Sequence, residues 1–159
     1  MSKRTFISGL AAALGASAVL LAVPGTANAA VGAQLMNEET RLCLDSDMQG
    51  NVYTKGCDEE MQNAYQQWRI QIANPAAVTD ALRNVMTGKC LEVDDGDGVS
   101  AQPCNYGKKQ QFSFVDHYGM KILKSAYNGR ALDSNKKGQA YTSQLSTSNP
   151  YMRWYVTYG

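Results

Sequence analysis

A chain of 159 residues with 15 basic and 14 acidic side chains has almost no net charge, and it carries four cysteines but one histidine. That balance excludes the basic stripe with which a protein displaces counterions from nucleic acid. It also argues against stable adsorption to an anionic membrane, and the length suits one domain with a single core.

In chain order the first element is an address. Lys3 and Arg4 form a short basic region, residues 6–23 are mostly apolar, and Pro24-Gly25 breaks any helix. Ala27-Asn28-Ala29 then gives the small-x-small pattern read by signal peptidase. A membrane anchor is the alternative. Ser8, Gly9, Gly15 and Ser17 dilute the run, however, and no cationic stop-transfer cluster follows it. The expectation is a signal peptide over residues 1–29, cleaved near Ala29, and a secreted mature domain over residues 30–159. Loss of Lys3 and Arg4 takes the formal charge from +1 to −1.

A fifteen-residue phrase follows three times without a gap: CLDSDMQGNVYTKGC at 43–57, CLEVDDGDGVSAQPC at 90–104 and ALDSNKKGQAYTSQL at 131–145. Fixed-period self-similarity marks a repeat architecture. The repeat runs wider than the phrase. Leu35, Leu82 and Leu123 stand eight residues before it, and Trp68-Arg69-Ile70, Phe112-Ser113-Phe114 and Trp154-Tyr155-Val156 stand after it. Leu44, Leu91 and Leu132, then Val52, Val99 and Ala140, recur within it. Each unit thus offers four short segments of strand period, separated by Gly, Asn, Asp and Ser clusters that suit turns. Residues 76–83, after Pro75, read as a linker with one helical turn. Repeats at about 31–74, 78–117 and 118–159 predict an all-β fold of twelve strands around a pseudo-threefold axis, a β-trefoil.

Export into an oxidising compartment turns four cysteines into two disulfides. Cys43 and Cys57 are fourteen apart, as are Cys90 and Cys104, and the third copy loses both positions together, to Ala131 and Leu145. A joint loss fits pairing within each repeat. Zinc is the competing use of four cysteines. It lacks a CxxC, and His117 lies outside the pattern. The acidic run Asp94-Asp95-Gly96-Asp97-Gly98 lacks the downstream Glu and spacing of a calcium loop and reads as a solvated turn. No metal or cofactor is expected.

These residues resemble the ricin B-type lectins, in particular a secreted bacterial member. Cys43-Leu44-Asp45, Val52, Cys57 and Gln66-Gln67-Trp68 follow the C-L-D, V-x-x-x-x-C and Q-x-W pattern; Cys90-Leu91-Glu92, Val99, Cys104 and Gln110-Gln111-Phe112 follow it again. The third copy keeps Leu132-Asp133 and has Met152-Arg153-Trp154 where Q-x-W would stand. The resemblance covers essentially the whole mature chain. It implies galactose-type sugar binding in shallow pockets, at most one per repeat. The carboxylate of C-L-D would take sugar hydroxyls and an aromatic ring would cover the C–H face.

The carboxylate is present as Asp45, Glu92 and Asp133. The family's stacking aromatic is replaced by Lys55, Gln102 and Ser143, and its Asn by Tyr65, Lys109 and Tyr151. Tyr53 and Tyr141 lie two residues before the lost aromatic, so alternation puts them on the same sheet face. The candidate carbohydrate-binding residues are therefore Asp45, Tyr53, Tyr65, Gln66, Asp133, Tyr141 and Tyr151, in the first and third repeats. Each has a plainer reading. Asp45 and Asp133 suit turn acceptors, Gln66 and Trp68 suit structural closure, and half-buried tyrosines suit any strand.

With His117 alone, no free thiol and no G-x-S-x-G element, nucleophilic catalysis has no support. Two functions remain. One is a non-catalytic secreted lectin. The other is a trefoil that has lost sugar binding and meets a protein partner through its loops, for instance as an inhibitor; Tyr127, Tyr141, Tyr151, Tyr155 and Tyr158 enrich its last repeat.

Overall fold

The computed structural model describes residues 32–159; the expected signal peptide over 1–29 lies outside the described residues. Twelve strands follow in order: β1 Ala33–Asn37, β2 Leu42–Ser46, β3 Val52–Gly56, β4 Gln67–Asn74, β5 Thr79–Asn84, β6 Cys90–Val93, β7 Val99–Gln102, β8 Phe112–His117, β9 Met120–Ser125, β10 Ala131–Ser134, β11 Ala140–Ser143 and β12 Arg153–Tyr158. A single 3₁₀ turn precedes each of β4, β8 and β12.

Six of these strands close on themselves. Antiparallel pairs run β12–β1–β4–β5–β8–β9 and back to β12, a barrel with no open edge. The other six form three hairpins, β2–β3, β6–β7 and β10–β11, one per repeat. The molecule is a β-trefoil. Its interior repeats in threes as the sequence does. Leu35, Leu82 and Leu123, then Leu44, Leu91 and Leu132, then Trp68, Phe112 and Trp154 are all fully buried, and Ile70, Phe114 and Val156 pack against them.

The hairpins are tied to one another by backbone. Ala101 N–H donates to the Gly50 carbonyl at 2.8 Å, Thr142 N–H to that of Asp97 at 2.6 Å, and Thr54 N–H to that of Gly138 at 2.8 Å. Each tip therefore bonds the next repeat in a closed cycle. Gly50 and Gly138 have φ of +97° and +80°, and a Cβ on either would stand 2.6 Å from the carbonyl oxygen of Ala101 or Thr54. Only glycine meets both demands at once.

Residues 76–83 differ from expectation. They hold no helical turn: Asn74 Oδ1 accepts from the amides of Ala76 and Ala77, Val78 takes φ +52°, and β5 begins at Thr79. Leu82 pairs across with Ile70, and Ala81 with Gln71. Eight residues are too few for a helix to repay its nucleation, so cross-strand packing decides.

Cys43 is bonded to Cys57 and Cys90 to Cys104, as the spacing required. In the third repeat Ala131 packs in a separate apolar cluster with Ile122, Met152 and Leu145.

Gly138→Ala is expected to cost about 1–3 kcal/mol for strained backbone alone. Gly96→Ala, with nothing within 4 Å of its added Cβ, should stay within about 0.5 kcal/mol of wild type. Urea midpoints for the pair check this.

Candidate functional site

Two clefts occupy corresponding places in the first and third repeats. In the third, β10 presents Asp133 directly opposite Tyr141 of β11, and the turn before β12 brings Asn149 and Tyr151 alongside. The cleft has a volume of about 380 Å³, within the range of small-ligand sites. In the first, β2 presents Asp45 opposite Tyr53 of β3. Tyr65 completes a cleft of about 290 Å³ with Lys55 and Asp47 on its margin.

The carboxylates form the buried floor of these clefts, at 1% exposure for Asp45 and 3% for Asp133. Asp133 Oδ2 accepts from Ser143 Oγ and, at 3.3 Å, from Asn149 Nδ2. Its Oδ1 has no hydrogen-bond partner of good geometry, and neither has Asp45 Oδ2; Lys55 Nζ stands 3.7 Å from the latter. A buried carboxylate oxygen left open is costly unless something polar meets it. Burial pushes the Asp133 carboxyl above the ordinary Asp range, against the lowering pull of Ser143, the Ser134 amide and Asn149. Burial, then the neighbouring carboxylate, likewise raises Tyr53 and Tyr141, so both remain neutral phenols.

Local structure explains why each group stands where it does. The indole N–H of Trp68 donates to the Leu44 carbonyl at 3.0 Å, and that of Trp154 to the Leu132 carbonyl at 3.1 Å. Each pins the peptide joined to the cleft's Asp. The tyrosine turns are held from a neighbouring repeat. Asn84 Nδ2 donates to the Tyr65 carbonyl and Asn37 Nδ2 to the Tyr151 carbonyl, both at 2.7 Å.

Six of the seven residues singled out from the sequence thus gather in the two clefts. Gln66 does not. It is fully buried, donating through Nε2 to the Gly56 carbonyl and accepting at Oε1 from the amide of Asp58 and the side chain of Gln34. That saturated amide serves closure. The turn-acceptor reading of Asp45 and Asp133 belongs instead to residues two further on. Asp47 Oδ1 takes the amides of Gly50 and Asn51, and Asn135 Oδ1 those of Lys137 and Gln139.

Asn149 was missed. Asn63-Ala64-Tyr65 and Asn149-Pro150-Tyr151 recur in register, each Asn capping its turn through the tyrosine amide. That shared N-x-Y was the available signal.

In the second repeat the same places hold different chemistry. Ser100 faces Glu92 where a tyrosine would be, Gln110 Nε2 binds Glu92 Oε2 at 2.7 Å, and Lys109 is paired with Asp95. Its carboxylate is already satisfied within the fold.

A model of the ricin-type beta-trefoil lectin domain matches residues 31–154. No curated protein matches the chain. Among solved structures, the designed 3-fold symmetric protein ThreeFoil superposes with a TM-score of 0.70 at 22% identity, over 79% of this chain and 96% of that one. SeviL bound to asialo-GM1 saccharide gives 0.66 at 14% identity, over 80% and 97%. The hemolytic lectin CEL-III gives 0.64 at 26% identity over 79% of this chain, which corresponds to 29% of that much longer one.

The raised Asp133 fixes the sign of a pH effect. Its native carboxyl holds a proton more tightly than the unfolded one, so stability falls as pH rises from 3.8 through the native value. Asp133→Asn should lessen that fall, to which Asp80, raised by burial as well, also contributes. Urea unfolding between about pH 3.5 and 7 reads the difference.

Proposed function

The chain belongs to the family of ricin-type β-trefoil lectin domains, and on that premise we propose that it is an exported, non-catalytic glycan-binding protein with working clefts in its first and third repeats. The observation that carries this reading is a buried carboxylate between two half-buried tyrosines, present at Asp133, whose Oδ1 has no hydrogen-bond partner, and again at Asp45, whose Oδ2 is met by the Lys55 ammonium at 3.7 Å. A sugar suits both demands. Vicinal hydroxyls donate to the carboxylate, and the C–H face of the ring lies on a phenol. At the third repeat the Asn149 amide adds a donor fixed beside Asp133. Tyr141 and Tyr151 replace the family's stacking aromatic, and the galactose-type preference implied by the family is the first specificity to examine.

Binding is favoured over hydrolysis by the acids themselves. A glycosidase needs a second carboxyl able to hold its proton as a general acid. Asp133 is the sole carboxylate lining the third cleft. In the first, the Asn51 side chain and turn amides hold Asp47 below the ordinary Asp range, the wrong direction for an acid. The protein-partner reading draws less support. Four of those five tyrosines divide among separate tasks, Tyr127 donating to Asp95, Tyr155 lying under Arg41, and Tyr141 and Tyr151 lining a cleft, which leaves the exposed Tyr158.

Two weak sites on one body gain by avidity. On a dense glycan surface, Asp45→Ala and Asp133→Ala are each expected to lower apparent affinity about 100-fold, and the double variant should not bind while its near-ultraviolet dichroism stays native. A folded, correctly bridged wild type that binds nothing on a broad glycan array would sink the proposal. Recovery of a protein partner insensitive to free sugar would put the other function in its place.

A further inference from the structure

The two clefts share a floor but differ in the charge of their rims. The hairpin turn of the first repeat places Asp47, Met48 and Gln49 around its opening; the corresponding turn of the third places Asn135, Lys136 and Lys137. The acidic side chain of one rim is thus an amide in the other, and two uncharged positions have become lysines. Within the first cleft the one cation, Lys55, is directed at Asp45. Within the third, Ser143 stands in its place and already donates to Asp133.

The two rim lysines are not alike. Lys136 Nζ stands 3.4 Å from Glu39 Oε1, and that hydrogen bond raises its pKa. Lys137 is exposed, and among the described residues it has no ion pair. It is not loosely placed, however. Asn135 Oδ1 accepts from its backbone amide at 2.9 Å, and the adjoining Gly138 carbonyl is fixed to Thr54 of the first repeat. The backbone that carries the unpaired rim lysine is thereby fixed on the margin of a cleft whose own carboxylate lies buried at the bottom.

Resting on the lectin reading above, we infer that the third-repeat cleft selects glycans bearing an anionic substituent, a sugar carboxylate or a sulfate ester. The neutral ring lies against Tyr141 and Tyr151 with hydroxyls turned to Asp133 and Asn149. The anion projects outward to Lys137, away from the buried acid. The first cleft, with Asp47 on its rim, Lys55 directed at Asp45 and Lys89 bonded to the Met48 carbonyl at 2.9 Å, has no unengaged counterpart and takes neutral sugars.

The test uses Asp45→Ala, in which the third cleft alone reports, on matched glycan pairs: each neutral glycan beside its sulfated counterpart, and beside its sialylated or uronic-acid counterpart. The acidic member is expected to bind about two- to fivefold more tightly, the range of one exposed ion pair. That preference should shrink with added salt and collapse in Asp45→Ala/Lys137→Gln. Preference for only one acidic series identifies the substituent as sulfate or as carboxylate. Equal binding of neutral and acidic members, or a preference that survives Lys137→Gln, overturns the inference and leaves the lectin reading standing. Absence of binding to every glycan by Asp45→Ala overturns the inference, and the same absence in the wild type overturns the lectin reading as well.

Discussion

Three backbone hydrogen bonds, each from one hairpin to the tip of its neighbour, set the geometry on which both clefts depend. They join Gly50 to Ala101, Asp97 to Thr142 and Gly138 to Thr54, and short antiparallel bridges flank them at Asn51–Ser100, Gly98–Tyr141 and Tyr53–Gln139. Each cleft tyrosine of the strands is therefore held by another repeat. Tyr53 is braced by the third hairpin and Tyr141 by the second. The second repeat, whose own acid is satisfied by Gln110, remains indispensable because its tip, with Arg130 Nη2 3.2 Å from Asp97 Oδ2, supports the wall of the third cleft. Loss of a binding site in one repeat does not free that repeat from constraint.

The same logic extends to the other wall. Tyr65 and Tyr151 sit on turns whose carbonyls are held by Asn84 and Asn37, residues of adjoining repeats. The indoles of Trp68 and Trp154 fix the peptides beside Asp45 and Asp133 from below. Phe112, at the corresponding place, fills the core without a donor. Aromatic closure and carboxylate placement are thus one device. It is complete in the two repeats that keep tyrosines and incomplete in the one that lacks them.

Repetition made the fold legible in the sequence. Spacing placed the strands, and the joint replacement of both cysteines by Ala131 and Leu145 in the third copy identified the bridges. It read less well where the deciding contact was not itself repeated. β5 formed because Leu82 and Ala81 meet β4 across the barrel, which no local pattern displays. Gln66 belonged to the repeat for a structural reason, and position alone could not separate an amide facing Gly56 from one facing a ligand. Asn149 escaped because the cleft amide comes from two residues upstream of the motif position, on a turn whose reach depends on its cap.

The third repeat shows how a covalent staple and its hydrogen-bonding partner are exchanged together. In the first two copies a buried glutamine caps the segment around the second cysteine: Gln66 bonds the Gly56 carbonyl and the Asp58 amide, Gln110 the Pro103 carbonyl and the Asn105 amide. In the third, both cysteine positions and the glutamine change at once, to Ala131, Leu145 and Met152, and these now share one apolar cluster with Ile122. The exchange is near balanced energetically. A bridge closing about fifteen residues is worth roughly 3 kcal/mol, and burying one large apolar side chain is worth about 1.5–3 kcal/mol. Had only the cysteines changed, the glutamine would keep its backbone partners but lie against an apolar wall. Had only the glutamine changed, the polar segment behind the bridge would have lost its cap. Staple and cap act on one segment, and the apolar cluster replaces both at once.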